Sequence, residues 1–427
     1  MSTPSETEPL PPEPTAATTG GDNDGTNNLN NNDDSDEKKS NNNDNDNNKK
    51  STNGNELPLD WTKPSNTAPC EVITLPRDVC PYAEDETDLT IVGTHGRKLT
   101  KMGSDLSSTC PDLSTLVLRS HLLSRMEGLG QFNKLEVLEL YDNSIGTLEG
   151  LEAVGSTLRV LDMSYNVIRD MEPVKHCPNL TELYLAQNKL KSIAGLRNLS
   201  KLRKIDLGAN RIRIMDEEEL SGLTNLEELW LGKNKIEEID GIKKLTKLRR
   251  LDVQANRLTK IQNLSKQAET LEELYLADNG IKDDGAAATF RTLSFPQLTV
   301  LDMCKNRLTT TSPFSNLLSL EELWLTGNDI KTFADVRYIE NLGAREGACL
   351  EGIYLDHNPV SKEFEYRKVL LKMLPSLQQI DADRVDANMF GGGVGGMPSL
   401  EERMKGMQQA AFDLALQQQG RQKSEGD

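Results

Sequence analysis

The chain has 427 residues and a formal net charge of −18. That length can bury a large apolar core. The acidic balance argues against nucleic acid as a partner, and equally against an anionic membrane surface, because both are bound by basic patches.

The spacing of the cysteines and the lack of long apolar segments bear on metal binding and on cellular location. The six cysteines are far apart and form no C-x-x-C pair, and the four histidines do not cluster with them. This spacing predicts no zinc site, and nothing indicates a cofactor. Because neither an apolar signal segment nor a membrane-length apolar run is present, we expect a soluble intracellular protein in a reducing compartment.

The N-terminal part of the chain is predicted to contain three segments. Residues 1–55 should be a disordered tail rich in Asn and Asp, since residues 21–50 include 12 asparagines and almost no apolar side chains. The proline-rich residues 56–87 are predicted to be irregular. The stretch from Asp88 to Met102 is expected to be a degenerate repeat that caps the domain that follows.

A pattern of the form L-x-x-L-x-L-x-x-N-x-L then recurs eleven times between Leu113 and Val360. Copies mostly 22 residues apart are typical of a leucine-rich repeat. The ninth position is His121 in the first copy, and it is asparagine in the others: Asn143, Asn166, Asn188, Asn210, Asn234, Asn256, Asn279, Asn306, Asn328 and Asn358.

This periodicity predicts the fold class, an α/β leucine-rich-repeat solenoid spanning residues 88–384 with about 12 repeats of ~22 residues. Short parallel strands should line the concave side. Positions 1, 4, 6 and 11 should be buried, and positions 3, 5 and 7 should face solvent on the strands. The asparagine amide at position 9 should bond to backbone groups of its own turn and of the next coil.

Segments that depart from the repeat predict two helices, a C-terminal cap and a C-terminal tail. Residues 283–290 and 333–339 should form helices on the convex side. Residues 358–384 should form a C-terminal cap, with a helix over 361–371 and a last half repeat. Residues 385–427 should contain a Gly-rich hinge and a tail helix, which Ser399 and Glu402 would open as a capping box.

Position 5 of the repeats is the most informative column. It reads Glu139, Asp162, Tyr184, Asp206, Trp230, Asp252, Tyr275, Asp302, Trp324 and Tyr354. Position 3 alternates in charge, which cross-strand ion pairs would explain. Duplication of a two-repeat unit would explain the alternation at position 5 without a binding role. Exposed Trp and Tyr are nevertheless typical of interface hot spots, so the column favours a protein-binding concave face.

An enzyme is the competing class, since paired carboxylates can perform acid–base chemistry. The acids here are spread along a ladder, without a phosphate-binding loop or a metal-ligand cluster. The sequence therefore predicts a non-catalytic protein, because no site for chemistry is visible.

Several segments resemble the SDS22-like family of leucine-rich-repeat proteins, which regulate type 1 protein phosphatase. They are residues 138–143, 231–236, 256–261, the acid–aromatic column, and the end formed by residues 354–359, 366–367 and 374–381. The resemblance covers residues 88–385. The end segment also resembles other repeat proteins, spliceosomal and cytoskeletal ones among them.

The resemblance implies a regulatory subunit that binds the phosphatase catalytic subunit with its concave face, alongside a small inhibitor subunit. It implies a chain that is monomeric on its own, nuclear and cytoplasmic, and connected with the cell cycle. The alternative is a scaffold for a spliceosomal or cytoskeletal partner. The contact residues that the resemblance implies are Asp162, Tyr184, Asp206, Trp230, Asp302, Glu322, Trp324 and Tyr354.

Overall fold

A computed structural model of the chain describes residues 87–94 and 98–385. The predicted tail 1–55, nearly all of the segment 56–87, the hinge and the tail helix lie outside these residues. The described strands are β1 Asp88–Val92, β2 Thr115–Arg119, β3 Val137–Glu139, β4 Val160–Asp162, β5 Glu182–Tyr184, β6 Lys204–Asp206, β7 Glu228–Trp230, β8 Arg250–Asp252, β9 Glu273–Tyr275, β10 Val300–Asp302, β11 Glu322–Trp324, β12 Gly352–Tyr354, β13 Gln379–Ile380 and β14 Asp383–Arg384.

These strands form one 14-stranded sheet in chain order. Strands β1 to β13 are parallel, each paired with the next, which confirms the predicted solenoid. The sequence did not predict β14, which turns back and pairs antiparallel with β13. Strand β1 confirms the degenerate repeat, since Leu99 and Met102 behind it are fully buried.

The core is a continuous stack of leucines and isoleucines, with one layer from each coil. Leu226, Leu229, Leu231 and Ile236 fill positions 1, 4, 6 and 11 of one repeat, and each is at most 1% exposed. A buried Leu is worth about 1.5–3 kcal/mol relative to an exposed one. The burial pattern predicted from the repeat is therefore confirmed.

The position 9 asparagines form a ladder that ties each coil to the one before it. Asn188 Nδ2 donates to the carbonyl oxygens of Leu185 and Ala186 in its own turn and of Met163 in the preceding coil. Its Oδ1 accepts from the Ile168 N–H, also in the preceding coil, at 3.0 Å. The own-turn bonds are as predicted, whereas the expectation of bonds to the next coil was wrong in direction.

His121 takes the asparagine's place at the N-terminal end of the ladder. Its Nδ1 accepts from the Leu99 N–H at 3.1 Å, and its Nε2 lies 3.2 Å from the Ile91 carbonyl oxygen. An imidazole with its proton on Nε2 satisfies both contacts. Burial lowers the pKa of His121, which favours this neutral form.

The return segments carry short helices, in part as predicted. The helices are α1 Leu106–Thr109, α2 Glu217–Leu220, α3 Asp283–Phe290, α4 Phe333–Val336, α5 Glu340–Ala344 and α6 Tyr366–Met373, with 3-10 turns at Leu151–Ala153, Glu172–His176, Ser312–Phe314, Arg337–Ile339 and Pro359–Lys362. The prediction for 283–290 is confirmed by α3. The prediction for 333–339 combines α4 with a 3-10 turn.

The helix predicted over 361–371 was wrong at its start. The chain first forms a 3-10 turn at Pro359–Lys362, and α6 begins only at Tyr366. Glu365 precedes it with φ of 56°, a left-handed conformation that interrupts the helix.

Candidate functional site

Position 5 places alternating acidic and aromatic residues side by side on the sheet. The register pairs Asp206 with Trp230, Trp230 with Asp252, and Asp252 with Tyr275. The same alternation continues through β10 and β11 to Tyr354 on β12. We use the name concave face for the side chains at repeat positions 3, 5 and 7 of β2 to β12.

The aspartates of this column have a role inside the fold. In each one, Oδ1 accepts from the backbone N–H two residues further on, where the strand ends. The acceptors and donors are Asp162 with Ser164 at 2.9 Å, Asp206 with Gly208 at 2.8 Å, Asp252 with Gln254 at 2.8 Å, and Asp302 with Cys304 at 2.9 Å. The column thus has a structural explanation that the sequence reading did not find.

The aromatic residues form a continuous row over β7 to β12. Ring centroids of Trp230 and Tyr275 lie 6.1 Å apart, those of Tyr275 and Trp324 6.2 Å, and those of Trp324 and Tyr354 5.7 Å. We call Trp230, Tyr275, Trp324 and Tyr354 the aromatic row. All four are half-buried, so the expectation that they are exposed was too simple.

The aromatic row covers two of the aspartates. Trp230 and Tyr275 stand two strands apart, a span of about 9.6 Å, so their closer approach means that the rings lean together above Asp252. Tyr275 and Trp324 do the same above Asp302. Asp252 is consequently 4% exposed and Asp302 6%, whereas Asp162 and Asp206, outside the row, are only half-buried.

Burial shifts the pKa of every aspartate in the column upward. It raises the pKa of Asp252 to about 7 and those of Asp162 and Asp206 to about 6. The bonds from the backbone N–H groups lower these pKa values, but burial has the larger effect. It raises the pKa of Asp302 as well. Desolvation disfavours the charged carboxylate, and neighbouring acids of the same column add to this at Asp252.

The glutamates of position 3 orient the aromatic residues of their own strands. Tyr184 Oη donates to Glu182, and Tyr275 Oη donates to Glu273, both at 2.6 Å. The indole N–H groups do likewise at 3.2–3.3 Å, from Trp230 to Glu228 and from Trp324 to Glu322.

The predicted ion pairs across position 3 are confirmed over β6 to β9. Lys204 lies 3.3 Å from Glu228, and Arg250 lies 3.4 Å from Glu228 and also pairs with Glu273. Arg250 covers the Trp230 ring at 5.3 Å, a cation–π contact. The concave face is therefore neutralised here by its own residues.

Glu322 differs from the other glutamates because Val300 and Gly352 stand opposite it. A Cβ at position 352 would lie 2.1 Å from Glu322 Oε2, so a larger residue there would displace the end of the Glu322 side chain from its present position. Burial raises the pKa of Glu322, and the nearby Glu351 and Glu321 raise it further. The carboxylate thus lies beside the Trp324 indole without a basic side chain across the sheet.

The structure groups the eight predicted contact residues in two ways. Trp230, Asp302, Glu322, Trp324 and Tyr354 lie together at the aromatic row, whereas Asp162, Tyr184 and Asp206 lie on β4 to β6 beside it. Asp252, Tyr275 and Arg250 also lie at the aromatic row, but they were not among the contact residues predicted from the sequence. Asp252 and Tyr275 continue the alternation, which was the signal that could have identified them.

Residues 87–94 and 98–385 contain neither a cluster of metal-ligating side chains nor a membrane-length apolar helix. No group of three or more His, Cys, Asp or Glu there is placed to hold a metal ion. In the same residues, no helix has the length and apolar character needed to cross a bilayer.

Comparison with known proteins identifies the repeats. The family model described as "Leucine Rich repeats (2 copies)" matches residues 156–198, 224–266 and 296–337, and two further leucine-rich-repeat models match residues 178–236 and 267–288. The chain is a leucine-rich-repeat solenoid. A leucine-rich-repeat protein of Leptospira interrogans has a similar structure, with a TM-score of 0.57 and 25% identity over 66% of this chain and 70% of that one.

Two curated relatives from Arabidopsis thaliana match about a quarter of the chain. One is named protein phosphatase 1 regulatory inhibitor subunit PPP1R7 homolog and is 36% identical over 105 residues, which are 25% of this chain and 32% of the relative. The other is the 187-kDa microtubule-associated protein AIR9, 35% identical over 102 residues, 23% of this chain and 6% of that protein. The chain thus spans at most a third of either relative, and its resemblance to SDS22-like repeat proteins is confirmed over the matched segment.

Proposed function

We propose that this solenoid is a non-catalytic regulatory subunit that binds the catalytic subunit of type 1 protein phosphatase through its concave face. Two observations support the proposal: the similarity to a phosphatase 1 regulatory subunit homologue, and the aromatic row beside Glu322. A small inhibitor subunit, and nuclear and cytoplasmic locations, belong to the same proposal.

The aromatic row is the main observation in favour of a binding surface here. Its four rings form one apolar strip with hydrogen-bonding edges, which is the composition typical of interface hot spots. Glu322, beside Trp324, has no basic residue opposite it and is available to a Lys or Arg of the partner. Position 3 ion pairs over β6 to β9 are already satisfied, so we expect them to contribute less.

Asp162, Tyr184 and Asp206 would extend the contact toward the N-terminal half of the sheet. Asp162 and Asp206 are half-buried, and one oxygen of each is bonded to its own turn. Their remaining oxygens can accept from basic groups of a partner. They are less covered than Asp252 and Asp302, and for that reason they are the more accessible acids of the column.

A scaffold for a cytoskeletal partner is the second candidate. The match to a microtubule-associated protein is similar in length and identity to the phosphatase-subunit match, so the repeats alone do not separate the two functions. The distinction has to come from direct binding.

The test is isothermal titration calorimetry of the full chain against a type 1 phosphatase catalytic subunit. Trp324→Ala should weaken binding by about 30-fold or more, because a hot-spot residue contributes about 2 kcal/mol or more. Tyr338→Ala is the matched control, since Tyr338 is 55% exposed on the return segment, and it should bind like the unaltered chain.

Binding lost in Trp324→Ala and retained in Tyr338→Ala would support both the partner and the surface. Binding unaffected by Trp324→Ala would place the contact elsewhere on the solenoid. If the unaltered chain does not bind the phosphatase but sediments with microtubules, the second candidate replaces the first.

A further inference from the structure

The carboxyl ends of strands β5 to β7 carry a concentration of basic side chains that the net charge conceals. Positions 8, 10 and 12 of the repeats that begin at Leu180, Leu202 and Leu226 supply them. We call this surface the basic edge and define it as Lys189, Lys191, Arg211, Arg213, Lys233 and Lys235. Lys189 and Lys235 are half-buried, and the other four are exposed.

Backbone bonds stack these side chains in register from coil to coil. The Arg211 N–H donates to the Leu190 carbonyl oxygen, and the Lys235 N–H donates to that of Ile212, both at 2.8 Å. In these coils the N–H of position 10 therefore bonds to the carbonyl oxygen of position 11 in the preceding coil. Neighbouring coils are about 4.8 Å apart, so the six cations occupy a strip about 10 Å wide from first to third coil.

Several basic residues on the opposite rim are paired, whereas those of the basic edge are not. On the opposite rim, Arg203 lies 3.0 Å from Glu227, and Arg249 lies 2.7 Å from Glu272. None of the six residues of the basic edge forms an ion pair with another residue that the structure describes. In a chain with a net charge of −18, these cations are an uncompensated local excess.

Several acidic residues in these and the neighbouring turns bond to groups outside the edge. Asp170 accepts from the Glu172 N–H, and Asp216 accepts from the Glu218 N–H at the start of α2. In the third coil, Glu237 and Glu238 each lie 3.7 Å from a basic residue of the following coil, Arg257 and Lys260.

An apolar side chain is exposed next to the basic edge in the chain. Ile214 follows Arg213 and is 71% exposed, more than any other large aliphatic side chain in the described residues. A single exposed Ile is common on protein surfaces, and here it offers a contact point for an apolar side chain of a partner. The surface thus presents cations and one adjacent apolar contact point.

We propose that the basic edge binds a short acidic segment of a partner protein that carries an apolar side chain among its carboxylates. Such a segment can end inside the strip, where the field is positive. A nucleic acid would extend past it and meet the acidic remainder of the chain, which repels phosphates. The edge occupies repeat positions 8, 10 and 12, whereas the concave face occupies positions 3, 5 and 7, so the inference goes beyond the proposed phosphatase contact and names a different partner.

The experiment measures fluorescence anisotropy of a labelled synthetic peptide rich in Asp and Glu, with one central Leu, against the full chain. Combined Lys189→Glu, Arg211→Glu and Lys235→Glu should weaken binding by about tenfold or more, because three attractive contacts become repulsive. Lys243→Glu, Lys244→Glu and Lys266→Glu alter the total charge equally at exposed positions of the return segments, and they should change binding by less than about twofold.

Further arms test the apolar contact and the class of partner. Ile214→Ser should weaken the Leu peptide but leave a peptide with Ser in its place unchanged. Circular dichroism melting checks that every variant is folded, and a triple Gln variant at positions 189, 211 and 235 repeats the test if the Glu variant unfolds. Equal losses in the edge and control variants, or tighter binding of a single-stranded oligonucleotide than of the peptide, would overturn the proposal.

Discussion

Two columns of residues run along the sheet, one at position 9, which is buried, and one at position 5, on the solvent side. The position 9 asparagines are buried or nearly so, and each amide contributes its donors and its acceptor to two adjacent coils. The position 5 residues lie on the solvent side, and from Asp162 to Trp324 their side-chain bonds stay within their own turns or strands. A column that joins coils stabilises the fold, whereas one whose residues are satisfied locally leaves a surface for a partner.

The position 5 column is itself divided by its neighbours. Over β7 to β12 the rings close above the aspartates and form a common surface, while on β4 to β6 the acids and Tyr184 have no such cover. The same alternation of residue types therefore produces an aromatic strip in one half and accessible carboxylates in the other.

The largest loss of stability should come from the core beneath these columns. Leu323 is fully buried between Glu322 and Trp324. Leu323→Ala should lower the free energy of unfolding by about 2–5 kcal/mol, because a cavity remains. Urea denaturation monitored by circular dichroism measures this. A loss below that of Trp324→Ala in the same strand would contradict the assignment of inward and outward sides.

Asn210→Ala should be the next most destabilising change. It removes the acceptor for the Leu190 N–H and the donor to three carbonyl oxygens, those of Leu185, Leu207 and Gly208. One buried polar group left without a partner costs about 1–3 kcal/mol. Asn198→Ala, at an exposed position, is the control for urea denaturation, and equal midpoints of the two variants would refute the role of the ladder.

Trp324→Ala should destabilise the chain less than either change, by about 0.5–1.5 kcal/mol, since it loses ring contacts to Tyr275 and Tyr354 but opens no core cavity. The same urea denaturation measures it beside Leu323→Ala. A midpoint shift as large as that of Leu323→Ala would show that the aromatic row belongs to the core.

A separate effect should appear in the pH dependence of stability. The pKa of Asp252 is about 7 in the folded chain against an ordinary value of 3.8, so the unfolded chain releases this proton first as pH rises. Stability should therefore fall as pH rises from about 4 to about 7.

Asp252→Asn should flatten that fall, because an amide resembles the protonated acid and cannot ionise. Melting temperatures of the two chains across this window provide the measurement, with exposed Asp142→Asn as the control. Parallel curves for Asp252→Asn and the unaltered chain would mean that Asp252 ionises as easily when folded as when unfolded.

The sequence by itself determined the solenoid, the strand positions and the inward residues. Every repeat imposes the same burial at positions such as Leu226 and Leu229, so periodicity alone decides them. It also predicted the column that forms the candidate surface, and the charge pairs of position 3. His121, which breaks the asparagine pattern, was visible in the sequence, but its equivalent bonds to Ile91 and Leu99 were not.

Only the tertiary structure decided which coil each asparagine binds, how the rings lean over Asp252 and Asp302, and where the unpaired cations gather. The left-handed residue before each asparagine was equally unpredictable, because side chains as different as Tyr165, Lys233 and Ala255 occupy it. These features arise between residues about 22 positions apart, and their geometry depends on how coils stack. A net charge or a one-dimensional pattern contains no such distances, whereas stacking brings Lys189, Arg211 and Lys235 onto one edge.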